Sequence, residues 1–128
     1  MPSEAEWEFA TRAGTTSKFW NGDELKTNSK ISPVGALLPN PFGLFDTVGN
    51  LREWIEGNWE PAWYVNFEES GAINPRCPFS GNSNRVVRGG CYADGPFTSR
   101  SSSRMARPAT NRGPDIGFRI TLPVSSVK

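Results

Sequence analysis

The stretch "RVVRGGCYADGPFTSRSSSRMARP", residues 85–108, gathers five arginines, three glycines and one of the chain's two cysteines. It admits two readings: a catalytic segment with Cys91 as its reagent, or a scaffold whose arginines hold the surrounding loops. "RVVRGG" carries β-branched residues and closes on paired glycines, which predicts a short strand at 85–88. "TSRSSSRMA" at 98–106 alternates small polar residues with larger ones and extends the β pattern, and "IGFRITL" predicts a closing strand over 116–122.

Upstream, "PSEAEWEFATRAG" predicts a helix over 4–13. Ser3 is a suitable N-cap, Glu6 three residues on completes a capping box, and Glu4 and Glu6 suit the positive end of the helix dipole. Trp7 and Ala10, with Phe9 and Ala13 at the edge, supply an apolar side, and Gly14 offers a left-handed cap. From Thr15 to Asn40 the pattern loses periodicity and predicts an ordered loop pinned by Phe19 and Trp20. "DTVGN" predicts a tight turn at 46–50, followed by a strand around 51–55. Residues 56–84 read as loop again, anchored by aromatics and containing a turn in "FSGNSN". No internal repeat and no linker divides the chain, so a single domain over 1–128 is expected.

Composition narrows the function. With 36% apolar and 12% aromatic residues among 128, the chain has material for a core. The 13 glycines and 11 prolines make 24 of 128 residues, roughly a fifth and below the roughly 25–30% share typical of low-complexity sequence. No stretch has the apolar length of a membrane helix, and "MPSEAEWEFA" lacks the regions of a signal peptide. A soluble chain is expected, with its compartment left open. The absence of histidine removes imidazole bases, Ser-His and Cys-His pairs, and histidine-ligated metal sites. Cys77 and Cys91 are too few for a four-thiolate metal site; they form one bridge or, the reading preferred here, stay as two buried free thiols.

Charge is uneven. Residues 1–84 hold 6 basic and 11 acidic side chains (−5) and residues 85–128 hold 8 basic and 2 acidic (+6), giving the net +1. The arginines are interleaved with Gly, Ser and Pro, which suits pairing with the acidic first half rather than a nucleic-acid face. Neither nucleic acid nor a membrane is expected as partner.

Taken in order, "PSEAEWEFATRAG", "PVG" with "LPNPFGLFDTVGNLREW", "RVVRGGCY", and the arginines leading to "IGFRI" resemble the formylglycine-generating enzyme family, the sulfatase-modifying-factor domain. The resemblance implies an α+β, loop-rich variant of the C-type-lectin fold with short strands and few helices. It covers the later part of such a domain. The chain is therefore a natural minimal version, or a portion whose apolar surface is completed by a partner chain or a second copy.

Members of this family oxidise a cysteine of a sulfatase to formylglycine, using copper held by two cysteines after the "RGGS" segment. Gapless placement puts Asp94 and Ser99 where those cysteines stand, and copper(I) prefers soft thiolates to oxygen donors. Copper is accordingly not expected, and the leading reading is a non-catalytic binding or interaction module. Cys91 takes the family's serine position. It reads as a packed small residue, with a functional thiol as the alternative, in which the chain is an enzyme of cysteine oxidation or altered thiol chemistry. The resemblance also implies calcium, held by the Asp46 side chain, backbone oxygens of Gly49 and Leu51, and the Glu53 carboxylate. The competing reading is that Asp46 caps the turn while Glu53 pairs with an arginine such as Arg88 or Arg119. Of a second calcium site only Asn28 is present. Arg88, Arg104, Arg107 and Arg119 read as donors that satisfy loop carbonyls and carboxylates. Loop 92–103, with Tyr92, Asp94, Phe97, Ser99 and Arg100, is the candidate surface for a protein or small ligand.

Overall fold

The computed structural model describes residues 1–67, 72–73, 75–79, 81 and 83–122. Helix α1 spans Glu4–Arg12. Its start is the expected capping box: Ser3 Oγ accepts from the Glu6 amide at 3.2 Å, and Glu6 Oε2 accepts from the Ser3 amide at 2.8 Å. Its end differs from expectation, because Ala13 itself takes the left-handed conformation (φ 46°) one residue before Gly14. Asn40 explains how the end is held. Its Nδ2 donates to the carbonyls of Ala10 at 2.7 Å and Thr11 at 3.0 Å, groups that a helix end otherwise leaves without partners.

The buried side of α1 carries Glu4, Trp7 and Thr11 at helical spacing. Phe9 falls outside this stripe; it is 70% exposed and stacks on Phe42 with ring centroids 5.7 Å apart. Trp7 packs on Ile55 and Val86 to form the core cluster, with Trp59 against its edge. Truncating a buried tryptophan of this kind costs about 3–5 kcal/mol.

One four-stranded sheet receives the helix. Its strands are β1 (Arg52–Asn58), β2 (Asn84–Arg88), β3 (Met105–Pro108) and β4 (Ile116–Phe118), in the order β3-β2-β1-β4. β2 is antiparallel to β1 and to β3, while β4 runs parallel to β1. In β1, Glu53 and Ile55 alternate onto the α1 face, and the pairing with β2 becomes irregular between Trp54 and Asn58. Gly57 sits in that interval at φ 124°, a conformation suited to glycine at a bulge.

Two expected strands change. Segment 98–106 is not strand throughout: a helical turn, α2 (Pro96–Ser99), precedes loop, and strand begins only at Met105. Pro96 fixes the helical φ at the first position, which the alternation of small residues did not convey. The closing strand stops at Phe118 instead of reaching 122. Between β1 and β2 a 3-10 helix, Trp63–Phe67, interrupts the expected loop. The turn in "FSGNSN" includes Ser80 and Asn82, which lie outside the described residues.

Candidate functional site

The site is built on two turns locked together beside the sheet. After β2 the chain reverses through Gly89 and Gly90, at φ 89° and 68°. A Cβ at Gly90 would stand 2.4 Å from Ser99 Oγ, so only glycine lets α2 settle against the strand end. The Gly89 carbonyl accepts from the Gly49 amide at 2.9 Å, which ties this reversal to the 46–50 turn. That turn closes with Asp46 and Asn50 in left-handed conformations. The Asn50 side chain bonds both backbone groups of Ser32, at 3.1 and 3.2 Å, and the Asn50 backbone carbonyl accepts from the Tyr92 amide at 2.9 Å.

Asp94 and Ser99, expected from the resemblance at the copper-cysteine positions, follow this first turn, Asp94 directly and Ser99 at the end of α2. Asp94 Oδ2 accepts from the Cys91 amide at 2.9 Å and Oδ1 from Arg52 Nη2 at 2.6 Å. Arg52 also pairs with Asp115 at the entrance to β4. Burial alone would lower the Arg52 pKa; the hydrogen bond and charge of Asp94 outweigh it and hold the guanidinium above its ordinary value. Ser99 is fully buried beneath Gly90, inside the frame rather than on the expected display surface. Cys91 is 1% exposed. Burial pushes its thiol pKa up, more than the Ala93 backbone hydrogen bond and the charge of Arg52 bring it down. Its partner in the two-thiol reading differs: both cysteines are free, but Cys77 is half-buried rather than buried.

The display surface is narrower than loop 92–103. Phe97 is 75% exposed, and the Arg100 guanidinium lies 4.3 Å from its ring centroid. Arg100 Nε donates to the Phe97 carbonyl at 3.1 Å and to Ser103 Oγ at 3.4 Å, fixing the plane of the fork. Arg100 has no carboxylate partner among the described residues. A cleft of about 280 Å³ runs beside this pair, lined also by Trp59, Ser102 and Arg104.

At the second turn Asp46, Leu51 and Glu53 of the expected calcium residues line one cleft, and Gly49 is not among the residues lining it. Asp46 Oδ2 accepts from the Gly35 amide at 2.7 Å, whereas Asp46 Oδ1 is buried and has no hydrogen-bond partner among the described residues. Asp46, Asn50, Leu51 and Glu53 line one cleft of about 390 Å³, together with Arg119. Glu53 is already engaged. Its Oε2 accepts from Trp7 Nε1 at 2.7 Å and from Arg119 Nε at 2.6 Å, and its Oε1 from Arg119 Nη2. Of the two arginines considered for Glu53, the partner is therefore Arg119. Arg119 Nη2 also donates to the Phe45 carbonyl at 3.0 Å. Burial acts to lower the Arg119 pKa, but the Glu53 hydrogen bond and charge, with Asp46 behind them, keep it raised. An orphaned carboxylate oxygen within a lined cleft fits a calcium ion at Asp46; at Glu53 the ion would meet a guanidinium.

The remaining arginines serve as frame. Arg88, 1% exposed, reaches Glu4 at 3.2 Å, Glu8, and the carbonyls of Ser101 at 2.9 Å and Ser102 at 3.4 Å. Arg104 takes both Glu4 oxygens, at 2.6 and 3.1 Å, and lies between the rings of Trp59 and Tyr64. Among the described residues the Arg107 guanidinium donates to the neighbouring Ala106 carbonyl. Sequence reasoning missed Arg52 and Asn40 as organising residues. For Arg52 the available signal was an arginine directly beside the turn motif.

A small mixed sheet, one main helix and long loops pinned by side chains define a C-type-lectin-like fold. Comparison with known proteins makes the class specific: residues 1–123 match the Sulfatase-modifying factor enzyme 1-like domain, and the chain belongs to that family. The formylglycine-generating enzyme of Bos taurus is 30% identical over 145 residues, covering 93% of this chain and 37% of that protein. PvdO from Pseudomonas aeruginosa superposes with a TM-score of 0.78 at 30% identity, over 92% of this chain and 50% of that one. Treponema denticola variable protein 1 gives 0.74 at 28% identity, over 92% and 45%. The chain thus spans half or less of each of these relatives.

Proposed function

We propose that this chain is a binding module of the formylglycine-generating enzyme family that does not carry out copper-dependent cysteine oxidation. The carrying observation is the commitment of Asp94 to Arg52 and the Cys91 amide, with Ser99 buried under Gly90. A carboxylate already bonded to Arg52 and a buried hydroxyl supply no soft donor pair for copper(I). Cys91, buried and with its pKa raised, is not poised as a nucleophile. Recognition is assigned to the exposed Phe97 and the half-buried Arg100 that lies over its ring, with the half-buried Tyr92 of the same loop. Aromatic and arginine side chains on a rigid frame are the residue types that anchor protein interfaces. The experiment is incubation with copper(I) and a sulfatase-derived cysteine peptide. No aldehyde is expected, and catalytic aldehyde formation would overturn the reading.

Calcium is the proposed metal, at Asp46, Leu51 and Gly49 with Glu53 shared. Carboxylates and backbone carbonyls are the hard oxygen donors that calcium takes, and the orphaned Asp46 Oδ1 supports this.

A second face also asks for a partner. Met1, Phe118, Ile120 and Leu122 are 50%, 69%, 70% and 81% exposed around the open edge at β4. Because the chain spans half or less of its relatives, we infer that a polypeptide equivalent to the remainder of the family domain covers this face. Sedimentation of the isolated chain at 14.1 kDa is expected; a stable dimer would assign the face to a second copy instead.

A further inference from the structure

We propose that Arg119 is a built-in competitor for calcium at the Asp46–Glu53 turn: its guanidinium takes the Glu53 carboxylate that the ion needs, so the wild-type site is weak and the fold does not depend on it. This rests on the calcium reading given above, and it concerns the chain's own residues.

Three observations carry it. Both Glu53 oxygens accept from Arg119, and one also accepts from Trp7 Nε1, so the carboxylate is satisfied without a metal. Arg119 is itself anchored, by a 3.0 Å bond to the Phe45 carbonyl, one residue before Asp46. Asp46, in contrast, keeps one buried oxygen unpaired in the same cleft. The turn therefore has one carboxylate balanced by the guanidinium and one left for another donor or cation.

Electrostatics gives the direction. With Arg119 present the two carboxylates and one guanidinium sum to −1; without it they sum to −2. A divalent ion approaching Glu53 is repelled by the guanidinium in a half-buried cleft, where screening is weaker than in water. A bidentate arginine is also held in one plane, so it yields the carboxylate less readily than a lysine. In the calcium-free protein Arg119 supplies the positive charge that keeps Glu53 buried. It also fastens the residue after β4 to the helix through Trp7, and so ties the last strand to the core.

The test compares wild type, Arg119→Gln and Arg119→Lys by calorimetric calcium titration and by melting with calcium or with chelator. Arg119→Gln is expected to bind calcium at least roughly tenfold tighter than wild type and to melt lower in chelator, with calcium restoring much of the loss. Wild type is expected to show little calcium-dependent shift, and Arg119→Lys an intermediate one. Tight wild-type binding that is unchanged or weakened in Arg119→Gln overturns the competitor role and leaves the calcium site standing. Absence of binding in all three proteins overturns both. Should Arg119→Gln fail to fold in chelator, Arg119→Lys decides by the same affinity comparison.

Discussion

Glu53 and Arg88 stand directly opposite each other on β1 and β2, yet each forms its ion pairs elsewhere. Glu53 is taken by Arg119 and the Trp7 indole, while Arg88 turns to Glu4 and Glu8. Trp7 separates them: its Nε1 donates to Glu53, and the Arg88 guanidinium lies 5.1 Å from its ring centroid. One tryptophan thus divides two charge networks on a single sheet face. The Glu4–Arg88–Arg104 network is the deeper, and removing one member of such a buried cluster costs about 3–5 kcal/mol because it strands the others.

This division predicts an asymmetry in energetic coupling. A double-mutant cycle on Glu53→Gln and Arg119→Gln, read by urea denaturation, is expected to give a coupling of about 1–3 kcal/mol. The cycle on Glu53→Gln and Arg88→Met is expected to give a clearly smaller one. Equal couplings would mean that Trp7 joins the networks instead of separating them.

Gly90→Ala should be more damaging than its left-handed φ alone explains. Gly14 has a similar φ of 88° with open space around its Cβ position, whereas the Gly90 Cβ would meet Ser99 Oγ at 2.4 Å and its Cα at 3.0 Å. Gly14→Ala is expected to cost about 1 kcal/mol and Gly90→Ala about 2–4 kcal/mol, since the backbone of α2 must move. Chemical denaturation of the two variants side by side measures the difference.

The two thiols should separate by reactivity. Burial raises both pKa values above the ordinary thiol value, so alkylation of either accelerates only as pH rises past that value. Cys77 is half-buried and Cys91 buried. Iodoacetamide is expected to modify Cys77 alone in the native protein and Cys91 only after unfolding, as peptide mass mapping would show. Rapid native modification of Cys91 would favour the functional-thiol alternative.

Tyr64 carries a pH signature. Burial, joined by the charge of Glu4 and opposed by those of Arg88 and Arg104, pushes its phenol up to about 12. The raised pKa favours the neutral phenol in the folded state. Its contribution to stability is full below the ordinary value of 10.0 and is lost as pH rises from there to about 12. Ultraviolet titration of Tyr92→Phe, in which Tyr64 is the remaining tyrosine, is expected to show ionisation near pH 12; a midpoint near 10 would place Tyr64 in solvent.

The helix with its capping box, the 46–50 turn and the "RVVR" strand were legible because each is set by local chemistry: a cap, paired glycine-type turns, β-branched residues. The extent of β4 and the helical turn at Pro96 were not, because short segments take their state from what they pack against. Within the site, Glu53 was visible as a carboxylate next to a turn, but its choice of Arg119 over the directly opposed Arg88 depends on where Trp7 comes to rest. No local pattern encodes that. Likewise the family resemblance implied that Asp94 and Ser99 stand at the copper-cysteine positions; only the fold places one against Arg52 and the other under Gly90.

The central claim is that the Asp94 and Ser99 positions offer no copper site. Competition titration of copper(I) against a chelator of known affinity tests it most directly, with Cys77→Ser removing the half-buried thiol. No stoichiometric tight binding by the folded Cys77→Ser protein is expected. One equivalent bound through Cys91, with Asp94→Ala and Ser99→Ala abolishing it, would contradict it.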